Sequence, residues 1–397
     1  MRALFVSDVY FPRVNGVSTS IATFRTDLAQ CGVETTLVAP LYGTEASTTE
    51  AGVVRVRSAR VPGDPEDRRM RWGYLERALA ALRPQSFDLL HIHTPFVAHY
   101  AGVRFGRAVG LPRVATYHTF FEQYLHHYVP VLPRALGGLL ARTFTRSQCR
   151  QVDALIAPSE PMREVLTGYG VTTPIHVIPT GLPAQCFRRG EGDRFRALAG
   201  LPEARPLVLY VGRVAHEKNI EFLLRVFARV RRDAPNAMLI IAGEGPAQRA
   251  LQHSAERLGL GGDVRFVGYL DRDQALLDCY AAAQVFVFAS RTETQGLVLL
   301  EAMAQGAPVV STAELGTRSI LKLDSGAIVV PENVEEFSDA VVRVLNTSAL
   351  RERLSEQARS YARSWSSLAM ARQVTELYRT LRASRAASAG VAHPDLR

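Results

Sequence analysis

The chain has 397 residues, 47% hydrophobic and 21% charged, with 29 Gly and 21 Pro; this is a globular composition on a chain too long for one core, so two domains are expected. Ordinary apolar content without a sustained heptad, triplet or tandem period excludes the coiled-coil, collagen-like, disordered and solenoid classes. The formal net charge is +9, and of 47 basic residues only Lys218 and Lys322 are lysine.

The first segment, MRALFVSDVYF, is a short apolar run that meets Asp8 and Pro12 without the small-residue cleavage site of a leader. Strands are expected at 3–7, 35–40, 88–93, 113–118, 154–159 and 175–179. A second series follows at 207–212, 237–243, 264–268, 284–290 and 308–312. Helical periods fall at 17–31, 97–109, 219–233, 246–259 and 295–306. Strands alternating with helices predict parallel sheets covered on both faces, and two series predict an α/β chain of two doubly wound, Rossmann-like domains. The aperiodic TGLPAQCFRRGEGD, 180–193, marks the join, giving domains at 1–183 and 184–365. Successive helices are expected over 332–383, and a disordered tail over 383–397, which is small and polar. Two such domains facing across a cleft would bind a ligand at the carboxyl ends of their strands. No apolar stretch approaches the ~20 residues of a bilayer-spanning helix. Cys31, Cys149, Cys186 and Cys279 show no C-x-x-C spacing, which points to reduced core thiols rather than zinc or a redox pair.

Three strand-to-helix turns carry candidate chemistry. In RTETQGLVLLEAMAQGAPVVS, 291–311, Glu293 stands where a helix start leaves N–H groups unpaired, and Glu301 follows eight residues later on the helix. Two carboxylates so placed suit a polyhydroxylated ligand, since each accepts two hydroxyl hydrogen bonds; helix capping by Glu293 and a solvated Glu301 are the alternative. In VGRVAHEKN, 211–219, Arg213 and Lys218 offer a diphosphate two cations beside a helix terminus, against an alternative of an exposed lysine beside Glu217. In SDVYFPRVNGVSTS, 7–20, Gly16 would admit close approach of a phosphate or sugar to the backbone. No G-x-G-x-x-G follows this strand, so a dinucleotide oxidoreductase is disfavoured. His91 and His93 share one face of a strand as a metal pair would, but no carboxylate at ligand spacing joins them, and no metal is expected. His118 ends a strand, where it would donate to a sugar hydroxyl or to developing charge, or sit in the core satisfied by backbone.

Together these motifs resemble the retaining glycosyltransferases of family 4, which have the GT-B fold, from Ala3 to about Leu381. VGRVAHEKN, IAGEGP (241–246) and the E-x7-E pair Glu293 and Glu301 are its most specific part. The resemblance implies that Arg213 and Lys218 hold the diphosphate of a nucleotide sugar, that Glu301 accepts the ribose hydroxyls, and that Glu293 with the backbone of Gln295, Gly296 and Leu297 holds the sugar. It places Gly16 over the diphosphate and His118 near the sugar, and returns a last helix, 366–382, to the first domain. Within the family, DVYFPRVNGVSTSI (8–21), HTPFVAHYAG (93–102), TYHTFFEQYLHHYVP (116–130) and TETQGLVLLEAM (292–303) resemble enzymes that glucosylate diacylglycerol. Gln295, where many members carry an aromatic residue, fits that branch. STAELGTRSI, 311–320, departs from the family by lacking its paired glycines.

The charge has its own pattern. Residues 1–185 carry 19 Arg and 14 acids, the rest 28 basic against 24 acidic residues, so no domain-wide basic face suggests nucleic acid. The local surplus lies in 123–152, which has no Asp or Glu. On a helix over 133–150, Arg142, Arg146 and Arg150 form one stripe, with Arg134 about two turns earlier, and Leu136, Leu140 and Phe144 form another. That pattern fits a helix lying on an anionic membrane, with Gly137, Gly138 and packing on the domain's own sheet as the opposing considerations. Tyr117, Tyr124 and these arginines are the membrane and acceptor candidates. The expected activity is retaining transfer of a hexose, glucose from UDP-glucose, to a membrane lipid, diacylglycerol, by a cytoplasmic enzyme at the inner face of the membrane, with no cofactor. The rivals are GDP-mannose or another UDP-sugar as donor, another lipid or a glycan as acceptor, and a non-catalytic nucleotide-sugar binder.

Overall fold

The computed structural model describes residues 1–43, 50–61, 64–83, 85–118, 134–202 and 205–391. They form two compact units, Met1–Thr180 with Ser367–Arg397, and Gly181–Ser366. The first contains β1 (Arg2–Val6), α1 (Gly16–Gln30), β2 (Glu34–Pro40), β3 (Val53–Val56), β4 (Ser58–Val61), β5 (Asp64–Met70), α2 (Trp72–Ala81), β6 (Leu89–Ile92), α3 (Val97–Val109), β7 (Arg113–Thr116), α4 (Arg134–Cys149), β8 (Ala154–Ala157), α5 (Glu160–Gly168) and β9 (Ile175–Val177). Its sheet runs β3-β2-β1-β6-β7-β8-β9 with every pairing parallel. Ala3 to Val6 and Ala154 to Ala157 are buried without alternation, because helices cover both faces of the sheet.

The second unit contains α6 (Gly192–Leu198), β10 (Leu207–Val211), α7 (Ile220–Asp233), β11 (Met238–Ala242), α8 (Gln248–Arg257), β12 (Val264–Gly268), α9 (Ala275–Ala282), β13 (Val285–Phe288), α10 (Leu297–Gln305), β14 (Val309–Ser311), β15 (Ala327–Val329), α11 (Val334–Asn346) and α12 (Ser348–Arg363). Its parallel sheet runs β12-β11-β10-β13-β14-β15. Both sheets reverse strand order once, between β1 and β6 and between β10 and β13, and such a reversal opens a crevice at the carboxyl ends of the two strands. The last helix, α13 (Ser367–Val391), belongs to the first unit. It buries Ala371, Val374, Leu377 and Tyr378 in one core with Ile21, Phe24 and Leu28 of α1, a helical 3–4 spacing that gives one apolar stripe.

Three expectations change. Residues 383–391 continue α13 rather than forming a disordered tail, and Arg385 Nε donates to the Gly110 carbonyl at 3.3 Å; small residues such as Ala are good helix formers once the helix is anchored. The aperiodic stretch before α6 is packed into the second unit. There Gly190 N–H donates to Gln305 Oε1 at 2.9 Å and Glu191 N–H to Asp278 Oδ1 at 2.7 Å. β3, β4, β5 and β15 were not expected; β4 and β5 pair antiparallel and charged, outside the main sheet. No helix among the described residues is long and apolar enough to cross a membrane.

Candidate active site

In the second unit the site grows from the neighbouring ends of β10 and β13. β10 is buried throughout, and Gly212 follows it at φ 154°, where a Cβ would lie 2.8 Å from the Tyr210 hydroxyl. The loop carrying Arg213 is braced from beneath: a Cβ at Gly243 would meet the Gly212 oxygen at 2.0 Å, and one at Gly245 the Val214 oxygen at 2.3 Å. The glycines of GEG therefore serve close backbone packing. Tyr210 donates to the Arg213 carbonyl at 3.2 Å; burial, then the Glu293 and Glu217 carboxylates, push its phenol well above the usual range. A short 3-10 turn, His216–Lys218, ends at Asn219 with φ 56°. Asn219 Nδ2 donates to Ala289 O, just beyond β13, at 3.3 Å.

That geometry brings Lys218 to Glu293, and Lys218 Nζ donates to Glu293 Oε1. Arg213 lies 3.8 Å from the Glu217 carboxylate. Glu293 does not cap the helix, because the N-cap of α10 is Gly296 at φ 98°. Gln295 is buried, and Leu297 opens the helix. Glu301 sits little more than one turn into α10 and is not solvated. Its side chain is 4% exposed, paired with Arg272, and accepts from the Tyr280 hydroxyl at 3.0 Å. Sequence reasoning missed Arg272 and Tyr280, and also Gly316. The Gly316 N–H donates to Glu293 O at 2.9 Å, so one glycine in the segment that lacks a glycine pair supports the Glu293 turn.

The first unit holds the remaining candidates. Gly16 opens α1, whose N-cap Asn15 accepts from Ser18 N–H at 2.9 Å. Nothing lies within 4 Å of a Cβ built at Gly16, so the fold itself does not require glycine there. His118 lies two residues beyond β7, and its Nε2 is 3.4 Å from His93 Nδ1. His91 is held on both ring nitrogens, by Tyr378 and Thr116. Burial lowers the His118 imidazole to about 4 and the His91 imidazole to about 3, with the neighbouring His118 a lesser cause for His91. Tyr117, expected at the membrane or acceptor, is buried instead and bonds Thr145 of α4 at 3.2 Å; it anchors that helix. On α4, Arg142 and Arg146 are exposed, as is Arg150 just past its end, with Leu139 at 61% and Leu140 at 49%. The helix turns Ala141, Thr145, Gln148 and Cys149 inward instead. Tyr124 and the Arg134 side chain lie outside the described residues.

Comparison with known proteins agrees with this architecture. The family described as Glycosyltransferase Family 4 matches residues 14–185, and the one described as Glycosyl transferases group 1 matches residues 193–361. An alpha-monoglucosyldiacylglycerol synthase of Streptococcus pneumoniae is 32% identical over 78% of this chain and 71% of its own. The chain belongs to the group 1 and family 4 glycosyltransferases. The transferase is also 28% identical to a GDP-mannose-dependent alpha-mannosyltransferase of Mycobacterium tuberculosis over 92% of this chain and 93% of that one. Among solved structures, sucrose-phosphate synthase from Thermosynechococcus elongatus superposes with a TM-score of 0.80 at 22% identity, covering 97% of the transferase and all of that chain. The fold is GT-B.

Proposed function

We propose that this transferase moves glucose from UDP-glucose to the hydroxyl of diacylglycerol, retaining the α-configuration. The observation that carries the reading is the cluster at the ends of β10 and β13, where Lys218 pairs with Glu293 and Arg213 lies on the same loop as Lys218. Two cations there would stabilise the diphosphate as negative charge develops on the departing oxygen, the fixed electrostatic complement that lowers such a barrier. A bound sugar would take over the Glu293 oxygen now held by Lys218, and Lys218 would turn to phosphate. Glu301, oriented by Arg272 and Tyr280, would accept the ribose hydroxyls, with Gln295, Gly296 and Leu297 supplying backbone to the sugar. Gly16 and His118 keep the roles their motifs imply, beside the diphosphate and the sugar. The retaining route is a same-face substitution in which the leaving phosphate helps deprotonate the acceptor, and it requires no resident metal.

Support for the lipid acceptor comes from the name of the Streptococcus relative and from the basic, leucine-bearing outer face of α4, which suits the anionic inner face of a membrane. The name of the Mycobacterium relative favours a second reading, with GDP-mannose as donor. A panel of labelled UDP- and GDP-sugars, incubated with purified protein and diacylglycerol vesicles, tests both. UDP-glucose label in a lipid product is expected; label confined to water-soluble products overturns the lipid acceptor, and lipid label from GDP-mannose alone overturns the donor. Glu293→Gln, Arg213→Ala and Lys218→Ala should each cut transfer at least about 100-fold with unchanged circular dichroism. Wild-type turnover in all three would remove the site.

A further inference from the structure

His91 and His93 alternate on β6 and therefore share a face of the sheet. Their rings lie 4.0 Å apart, with Phe5 packed 5.0 Å from the first and 4.6 Å from the second. Both are 1% exposed. Burial, reinforced by the neighbouring imidazoles, holds His91 and His93 far below the ordinary histidine range, so at neutral pH each carries one N–H and one lone pair.

The hydrogen bonds then fix where each proton sits. Tyr378 of α13 has no exposed surface, and its hydroxyl lies 2.5 Å from His91 Nδ1. Donation to that nitrogen gives the phenol proton a partner. His91 then carries its own proton on Nε2 and donates to Thr116 Oγ1 at 2.7 Å. Thr116 also lines a cavity of about 30 Å3 with His99, His118 and Gln148, and its hydroxyl, which rotates to suit its neighbours, accepts the His91 proton. His93 meets His118 at 3.4 Å through Nδ1, while His93 Nε2 is buried without a partner. Were the shared proton on His118 Nε2, His93 would bury an unsatisfied N–H. With the proton on His93 Nδ1, only a lone pair is left bare, the less costly of the two.

We propose that His93 is a positioning residue that donates from Nδ1 to His118 Nε2 and so locks His118 as the neutral Nδ1–H imidazole. His118 then meets a ligand oxygen as a hydrogen-bond donor and takes no proton from it. Packed against the His93 ring at an interplanar angle of 33°, His91 with Tyr378 of the C-terminal helix holds that ring in place. The inference rests on the reading of His118 as the histidine beside the sugar, but its decisive measurement does not need that reading.

Two-bond proton–nitrogen correlation NMR on the full chain labelled with 15N-histidine, without ligand at pH 7, reports each tautomer. His118 is expected as Nδ1–H and His91 as Nε2–H. His93→Leu should move His118 to the Nε2–H form that free imidazole favours, while His93→Asn, whose amide reaches the Nδ1 position, should keep Nδ1–H. An Nε2–H His118 in the wild type, or an Nδ1–H His118 unmoved by His93→Leu, overturns the proposal. In transfer assays kcat should fall about 10- to 100-fold in His93→Leu at nearly constant donor KM and recover in His93→Asn. A tautomer that moves without any change in kcat would leave the lock standing and remove the assignment of His118 to the sugar.

Discussion

A methyl group at Gly316 would sit 2.1 Å from the Thr294 carbonyl oxygen and 2.6 Å from Gln295 N, backbone atoms that no side-chain rotation can move aside. Gly316→Ala should therefore displace the Glu293 turn, costing about 1–3 kcal/mol of stability and at least about tenfold in transfer rate; denaturant midpoints and initial rates near wild type would contradict this support. The same turn shows what was readable at single positions. Arg213, Lys218, Glu293 and Glu301 stood out because strand-end turns concentrate chemistry and because Lys218 is one of two lysines. Arg272 and Tyr280 did not. Arg272 is one of 45 arginines, and its partner Glu301 is 29 residues away, so only folding brings the two together. For Glu301 the sequence leaves a solvated and a functional reading, and burial against Tyr280 removes the solvated one.

At the scale of elements, α4 forms despite Gly137 and Gly138, each costing about 1 kcal/mol, because its inner side is tied down. Gln148 Nε2 donates to Pro95 O at 2.5 Å, and Thr145 bonds Tyr117. The outer side is left with Leu139, Leu140, Arg142 and Arg146, Arg150 follows just past the helix end, and Arg142 lies over the Tyr169 ring at 5.5 Å. Each basic residue near an anionic surface contributes about 1 kcal/mol. Charge reversal of Arg142, Arg146 and Arg150 should weaken binding to anionic vesicles at least about 100-fold and spare nucleotide binding. Unchanged vesicle sedimentation would give the arginines another purpose. Apolar runs made the buried parallel strands legible, since strands covered on both faces must be apolar along their whole length. β4 and β5, SARV and DPEDRRM, contain no such apolar run.

Across the whole molecule, buried titratable groups set the response to acid. His91, His93, His99 and His118 are held by burial below the histidine range. Their folded forms refuse protons that an unfolded chain accepts, and the stability they confer above about pH 6.5 is lost as pH falls toward about 4. Asp8 works in the opposite sense: burial lifts its carboxyl to about 6, so its contribution is present in acid and lost as pH rises through about 6. Four imidazoles outweigh one carboxyl, and near pH 5 unfolding should take up on the order of three protons, a slope of about 4 kcal/mol per pH unit. Urea midpoints between pH 7 and 5 measure it, and a flat profile would contradict the burial of these histidines in neutral form. Ala371, Val374, Leu377 and Tyr378 complete the first unit's core, yet they lie beyond all of Gly181–Ser366 in the chain. On the ribosome, the unit begun first is thus finished last, and the face of α1 that receives α13 stays bare while the second unit is being made. A released chain ending at Ser366 should be cut readily by protease in its first unit and resist in its second, the reverse of the usual amino-to-carboxyl order of domain completion.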